Sequence, residues 1–249
     1  MYKIISDSAC DLSKKYIAEH DITIVPLSVS FDGETYYRDS IDISRDECYE
    51  RMVSNPGVYP KTSLPSVDSY YNAFKEFTDK GIPVVCFTIT LIFSGSYNSA
   101  MNAKEMIEEE NPDANITVID SKQNTVTQAL IIDQMVRMRD AGISFEDSLK
   151  KLEPLMASAR IFFTVGSLDY LKMGGRIGKL ASIASKIDVK PVIIMKDGDI
   201  SLGGIGRNRN KLKAKVLSTA KAYLDENGKD NFVVSVGYGY DKTEGVSFM

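Results

Sequence analysis

The chain has 249 residues, 43% apolar and 26% charged, proportions that support a buried core and exclude a disordered, fibrous or hormone-like peptide. With 30 Lys and Arg against 34 Asp and Glu the net charge is −4, so no overall basic field draws the chain to nucleic acid. Cys10, Cys48 and Cys86 are widely spaced and form no CxxC pair, which supports neither a disulfide framework nor a zinc site. The opening Met1-Tyr2-Lys3-Ile4-Ile5-Ser6-Asp7 reaches an acid before a signal core forms, and no long apolar run follows. A cytoplasmic chain without an integral membrane segment is expected.

Taken in chain order, short β-rich runs alternate with amphipathic helical ones, the pattern of parallel strands joined by crossover helices. Strands are expected over Tyr2 to Ser6, Ile22 to Phe31, Val84 to Thr90 and Ile116 to Ile119. A helix from Asp11 to Glu19 ends at His20, which reads as a helix cap. Ser44-Arg45-Asp46-Glu47 is a capping box opening a helix to about Val53. Ser66 caps a helix carrying Val67, Tyr70, Tyr71, Phe74 and Phe77 at helical spacing, stopped at Gly81. Further helices are expected from about Ser96 to Glu110, Asn124 to Ala141, and from Ser144 onward.

Beyond Met156 the rhythm changes. A strand from Arg160 to Val165 precedes the glycine-rich Met173-Gly174-Gly175-Arg176-Ile177-Gly178, and Asp197-Gly198 joins two β-rich runs as a hairpin. A helix from Asn208 to Asn227 and a strand from Phe232 to Tyr238 follow. The fold class expected is α/β in two domains: residues 1–155 around a parallel sheet, and residues 156–249, α/β with antiparallel pairing.

Two hydroxyl clusters stand out, Lys61-Thr62-Ser63-Leu64-Pro65-Ser66 and Phe93-Ser94-Gly95-Ser96-Tyr97. Both are expected at carboxyl ends of parallel strands, the edge where α/β sheets bind ligands. Hydroxyls ahead of helix N-termini can seat a carboxylate or phosphate; they can equally be turn and cap residues. No P-loop is present, because Gly178-Lys179 is followed by Leu180, and no G-x-G-x-x-G follows a strand. A Ser94 nucleophile in a hydrolase or transferase acting on a small carboxylate or phosphate is the alternative, but Ser94-Gly95-Ser96 is no nucleophile elbow and His20 is the sole imidazole. The basic stretch Arg207, Arg209, Lys211, Lys213, Lys215 reads as a solvated helix face or a partner-docking face.

Four features together resemble the DegV family of bacterial fatty-acid-binding proteins, which includes the lipid-carrier subunit of fatty acid kinase. They are Ile4-Ile5-Ser6-Asp7-Ser8; Thr62-Ser63-Leu64-Pro65-Ser66; Ser94-Gly95-Ser96-Tyr97 with Val118-Ile119-Asp120-Ser121; and Asp169-Tyr170-Leu171 through Gly174-Gly175-Arg176-Ile177-Gly178 to Lys190-Pro191. The resemblance implies a non-enzymatic lipid carrier with no cofactor or metal. Its ligand is a long-chain fatty acid such as palmitate, clasped between two domains and presented to a fatty acid kinase catalytic subunit. Thr62 and Ser94 are implied as carboxylate ligands, Ser63, Gly95 and Ser96 as their support, and Arg176 as a partner-docking residue. Two departures stand against the family pattern. Leu91-Ile92-Phe93 replaces a hydroxyl-rich lead, and a further segment with a glycine- and histidine-containing loop does not follow before Ser247-Phe248-Met249.

Overall fold

A computed structural model of the chain describes residues 1–181 and 190–247, and Phe248 and Met249 lie outside the described residues. The chain divides into two compact units, Met1–Ala159 and Arg160–Met249. The first unit runs β1 (Lys3–Asp7), α1 (Lys14–Glu19), β2 (Ile22–Val25), β3 (Ser28–Ser30), β4 (Tyr37–Arg38) and α2 (Arg45–Ser54). It continues β5 (Lys61–Ser63), α3 (Val67–Thr78), β6 (Val84–Thr88), α4 (Ser96–Glu110), β7 (Ile116–Asp120), α5 (Thr125–Asp140) and α6 (Phe145–Ser158).

The main sheet is parallel, in the order β2-β1-β6-β7. Side chains alternate across a strand, so Ile4, Val85 and Phe87 pack on one face against α1, α5 and α6. Ile5, Val84 and Cys86 pack on the other against α3 and α4. Because helices cover both faces, β1 and β6 are buried along their whole length, and β6 is apolar over most of it rather than alternating. Cys86 is fully buried there as a small apolar side chain, its thiol pKa pushed up by burial.

Helix ends follow the chemistry of their first residues. Ser44 and Glu47 form both bonds of the capping box, the Ser66 hydroxyl accepts from the Ser69 N–H at 3.1 Å, and Ser144 accepts from the Asp147 N–H at 3.1 Å. The start of α1 at Lys14, later than expected from the sequence, reflects Ser13 as its cap and a short 3-10 turn over Ser8–Cys10. His20 closes α1 as its C-cap.

Ile22 to Phe31 is not one strand. Pro26 carries no N–H for a ladder, and the Leu27 N–H is taken by the Ser8 hydroxyl at 3.1 Å. The chain therefore leaves the parallel sheet after Val25 and re-enters pairing as β3, the centre of a separate antiparallel sheet β4-β3-β5.

The second unit contains β8 (Ile161–Thr164), α7 (Asp169–Met173), β9 (Lys190–Lys196), β10 (Asp199–Gly206), α8 (Arg209–Asn227) and α9 (Lys242–Val246). Its sheet is antiparallel, ordered β10-β9-β8. Asp197 and Gly198 turn the hairpin with φ of 52° and 85°, the backbone that a two-residue turn between twisted strands requires. Val192, Leu212 and Val216 form a core cluster between the sheet and α8, with Phe162 packed against it. The expected strand from Phe232 to Tyr238 is absent: the segment joins no ladder, and Val233 and Val234 are 60% and 68% exposed. Strand formation needs an edge to pair with and a core to face, and here the Phe232 ring packs instead on Tyr223, 5.6 Å between centroids.

Candidate functional site

The parallel sheet reverses its winding between β1 and β6: β2 lies on one side of β1, and the later strands lie on the other. The crevice at the carboxyl ends of two such strands is where open α/β sheets bind ligands. Asp7 ends β1 at this point and is fully buried. Its carboxylate accepts from the Ile89 N–H just past β6 at 2.8 Å and from Gln128 Nε2 of α5 at 3.0 Å. Burial outweighs these donors and raises the Asp7 pKa to about 6.

The Ser94 loop is tied to the same edge. The Thr90 N–H donates to the Gln123 carbonyl at 2.9 Å, and the Phe93 and Ser94 N–H groups donate to the Thr90 carbonyl at 2.9 and 3.3 Å. The Leu91 N–H reaches Asp120 Oδ1 at the end of β7, 3.2 Å away. Ser94 Oγ accepts from the Ser96 N–H at 3.2 Å and lies 3.0 Å from Ser96 Oγ. Ser94 is half-buried and Ser96 fully buried at the first turn of α4.

Thr62 and Ser63 lie in β5, exposed, with Thr62 in register with Val29. They therefore stand in the small antiparallel sheet and not at the carboxyl end of a parallel strand, because the chain left the main sheet at Pro26. The two hydroxyl turns are nevertheless neighbours. A Cβ built on Gly95 would come within 3.2 Å of Leu64 Cδ2, so the absence of a side chain at Gly95 lets the β5 turn close on the Ser94 loop. Leu64, Leu91 and Ile92 add apolar surface to these two turns, 42%, 53% and 52% exposed.

Three residues beneath the loops had no assigned role in the sequence. Asp7 was visible as an acid ending an apolar strand. Gln128 gave no signal within α5; its Nε2 donates to both Asp7 and Ser6 Oγ, the latter at 3.1 Å. Tyr70 reads as core by its helical spacing, yet its fully buried hydroxyl sits beside Ser96 outside hydrogen-bond geometry, with no partner among the described residues.

Other sequence candidates lie elsewhere. His20 precedes β2 at the amino edge of the sheet, opposite the Ser94 loop, with its ring 4.3 Å from that of Tyr16 and Nδ1 3.5 Å from Asp140. Ser94 thus has no imidazole beside it to act as a base. Arg176 belongs to the second unit, where its N–H donates to the Leu171 carbonyl at 2.8 Å and its Nη1 to the Gly174 carbonyl at 2.7 Å. Among the described residues no group of three or more His, Cys, Asp or Glu is placed to hold a metal ion, and no helix is long and apolar enough to cross a membrane.

The family model described as "Uncharacterised protein, DegV family" matches residues 1–247. The chain belongs to the DegV family. A DegV domain-containing protein of Staphylococcus aureus is 32% identical over 208 residues, 83% of this chain and 72% of that protein. The crystal structure of a stearic acid-binding protein from Eubacterium ventriosum is 74% identical with a TM-score of 0.97, covering 100% of this chain and 85% of that one. A DegV family protein from Thermus thermophilus, described by its fatty acid binding, is 26% identical with a TM-score of 0.80 over 90% of this chain and 78% of that one. The DegV architecture, a parallel α/β sheet with separate antiparallel sheets, is the one described above.

Proposed function

We propose that this DegV chain binds one long-chain fatty acid, its carboxylate held by the Thr62 and Ser94 hydroxyls with Ser63, Gly95 and Ser96 in support. The observation that carries this reading is the contact of the two hydroxyl turns at the switch point, where Gly95 faces Leu64. The 74% identity to a stearic acid-binding protein over the full length of this chain supports the same ligand class. Each methylene withdrawn from water contributes about 0.8 kcal/mol, so the tail supplies most of the affinity. The headgroup contacts then set orientation. Neutral hydroxyls hold a carboxylate without the desolvation cost of a buried ion pair, leaving an oxygen open to a partner that phosphorylates it. In this reading the chain carries the acid and a kinase subunit performs the chemistry, with Arg176 as a docking residue.

Protein purified from bacterial cells, denatured and extracted, is expected to release a long-chain fatty acid identified by mass spectrometry. Hydrogen bonds to a charged group contribute about 1.5–3 kcal/mol each, so Thr62→Ala and Ser94→Ala should each weaken palmitate binding roughly ten- to hundredfold. Delipidated protein with no affinity for palmitate, stearate or oleate would overturn the reading.

A further inference from the structure

This inference rests on the fatty-acid reading and concerns Val118-Ile119-Asp120-Ser121, the stretch that ends β7. The strand β6 lies between β1 and β7, and its pairing with β7 stops at Thr88 and Asp120. Successive residues of a strand turn their N–H groups to opposite neighbours. Past β6 that alternation persists for two residues. The Ile89 N–H goes to Asp7 of β1 at 2.8 Å, and the Thr90 N–H to the Gln123 carbonyl beyond β7 at 2.9 Å. The next N–H of a continuing strand would return to the β1 side. Instead the Leu91 N–H donates to Asp120 Oδ1 at 3.2 Å, again on the β7 side. The strand direction is lost there, and the Phe93 and Ser94 N–H groups close back on the Thr90 carbonyl.

Apolar packing does little to hold this corner, because the Leu91 and Ile92 side chains are more than half exposed. The acceptors that hold it are themselves fastened to the end of β7. Asp120 Oδ1 also accepts from the Lys122 N–H at 3.0 Å, which fixes the carboxylate against its own backbone. The fully buried Ser121 hydroxyl donates to the Gln123 carbonyl and accepts from the Gln123 N–H, both at 3.1 Å. That pair of bonds sets the carbonyl that meets Thr90. We propose that Asp120 is a positioning residue for the Ser94 headgroup contact. Its carboxylate turns the chain at Leu91, and that turn decides where Ser94 Oγ stands relative to the Thr62 turn. Asp120 acts through an acceptor oxygen held at a fixed reach, not through its charge, and needs no contact with the fatty acid.

The test measures palmitate binding to the delipidated full chain by calorimetry, and follows by NMR the resonance of palmitate labelled with carbon-13 at its carboxyl. Asp120→Ala removes the acceptor and should weaken binding roughly three- to tenfold, moving the bound carboxyl resonance in the same direction as Ser94→Ala moves it. Asp120→Asn keeps an oxygen that accepts from Leu91 and should restore most of that binding. Asp120→Glu keeps the charge but sets the oxygen one methylene too far, and should bind more weakly than Asp120→Asn. Because Asp120 acts through Ser94, adding Asp120→Ala to Ser94→Ala should cost no further affinity. Unchanged binding in Asp120→Ala, equal losses in the Ala and Asn variants, or a loss that adds to that of Ser94→Ala would overturn the proposal. If Asp120→Ala fails to fold, the other two variants decide, and Asp120→Glu binding as tightly as Asp120→Asn overturns it. A wild-type chain that binds no palmitate, or loses none in Ser94→Ala, removes the headgroup reading and this inference with it. Binding weakened by Ser94→Ala but not by Asp120→Ala removes the inference alone.

Discussion

At the residue scale, Asp7 is where desolvation and hydrogen bonding oppose each other most strongly. Several donors favour its anion, but full burial wins and lifts the pKa to about 6. An unfolded aspartate titrates lower, so between the two values the folded state binds more protons than the unfolded state. Stability then falls as pH rises through that window. In the ligand-free protein this contribution is fully present below about pH 4 and lost above about pH 6, amounting to about 2–3 kcal/mol. Urea unfolding across this range should show the wild type losing that much relative to Asp7→Asn; parallel curves would contradict it. Asp11 is also lifted to about 6, by burial, although its side chain is 40% exposed. Its contribution is common to both proteins and cancels in the difference. Tyr70 gives a second residue-scale test. A buried hydroxyl without a partner costs free energy, so Tyr70→Phe should leave stability unchanged or raise it by about 1 kcal/mol in thermal unfolding of the ligand-free chain. A clear loss would mean that the hydroxyl is satisfied.

At the scale of elements, the hairpin of the second unit depends on close packing at one position. Pairing of β9 and β10 slips between Leu202 and Gly204, and a Cβ on Gly203 would lie 2.7 Å from Ile194 Cγ1. Gly203 has an ordinary φ, so substitution acts through this collision and not through backbone strain. Gly203→Ala should therefore cost about 1–3 kcal/mol, read as a lower urea midpoint; an unchanged midpoint would show that Ile194 moves aside freely. The segment after α8 makes a different prediction. Tyr238 and Tyr240 are 50% and 58% exposed on a stretch without ladder hydrogen bonds. Chymotrypsin is expected to cut there before it cuts within the parallel sheet, as mass mapping of early fragments would show.

At the scale of the whole molecule, a ligand that binds the native state alone adds stability by mass action. Stearate at 100 times its Kd should stabilise the delipidated chain by about 2.7 kcal/mol. For chains of this size that is a rise in Tm of roughly 5–10 °C. A melting curve unmoved by stearate would speak against binding to the folded protein.

The amino-acid sequence by itself determined most of the elements, because their signals are local. The capping box at Ser44 and Glu47, the Ser66 and Ser144 caps, and the Asp197-Gly198 turn each act within a few residues of backbone. The apolar run at Val84 marked a strand for the same reason. Tertiary structure decided what depends on partners distant in the chain. Pro26 ended one strand and sent β3 to another sheet, which carried Thr62 with it. Phe232 to Tyr238 has the side chains of a strand but joins no ladder, and its Phe232 ring packs on Tyr223. The meeting of Gly95 with Leu64, and of Asp7 with Ile89 and Gln128, joins residues far apart in sequence at the one place where the sheet reverses its winding. Side-chain type states what a residue can donate or accept; the fold decides what stands opposite it.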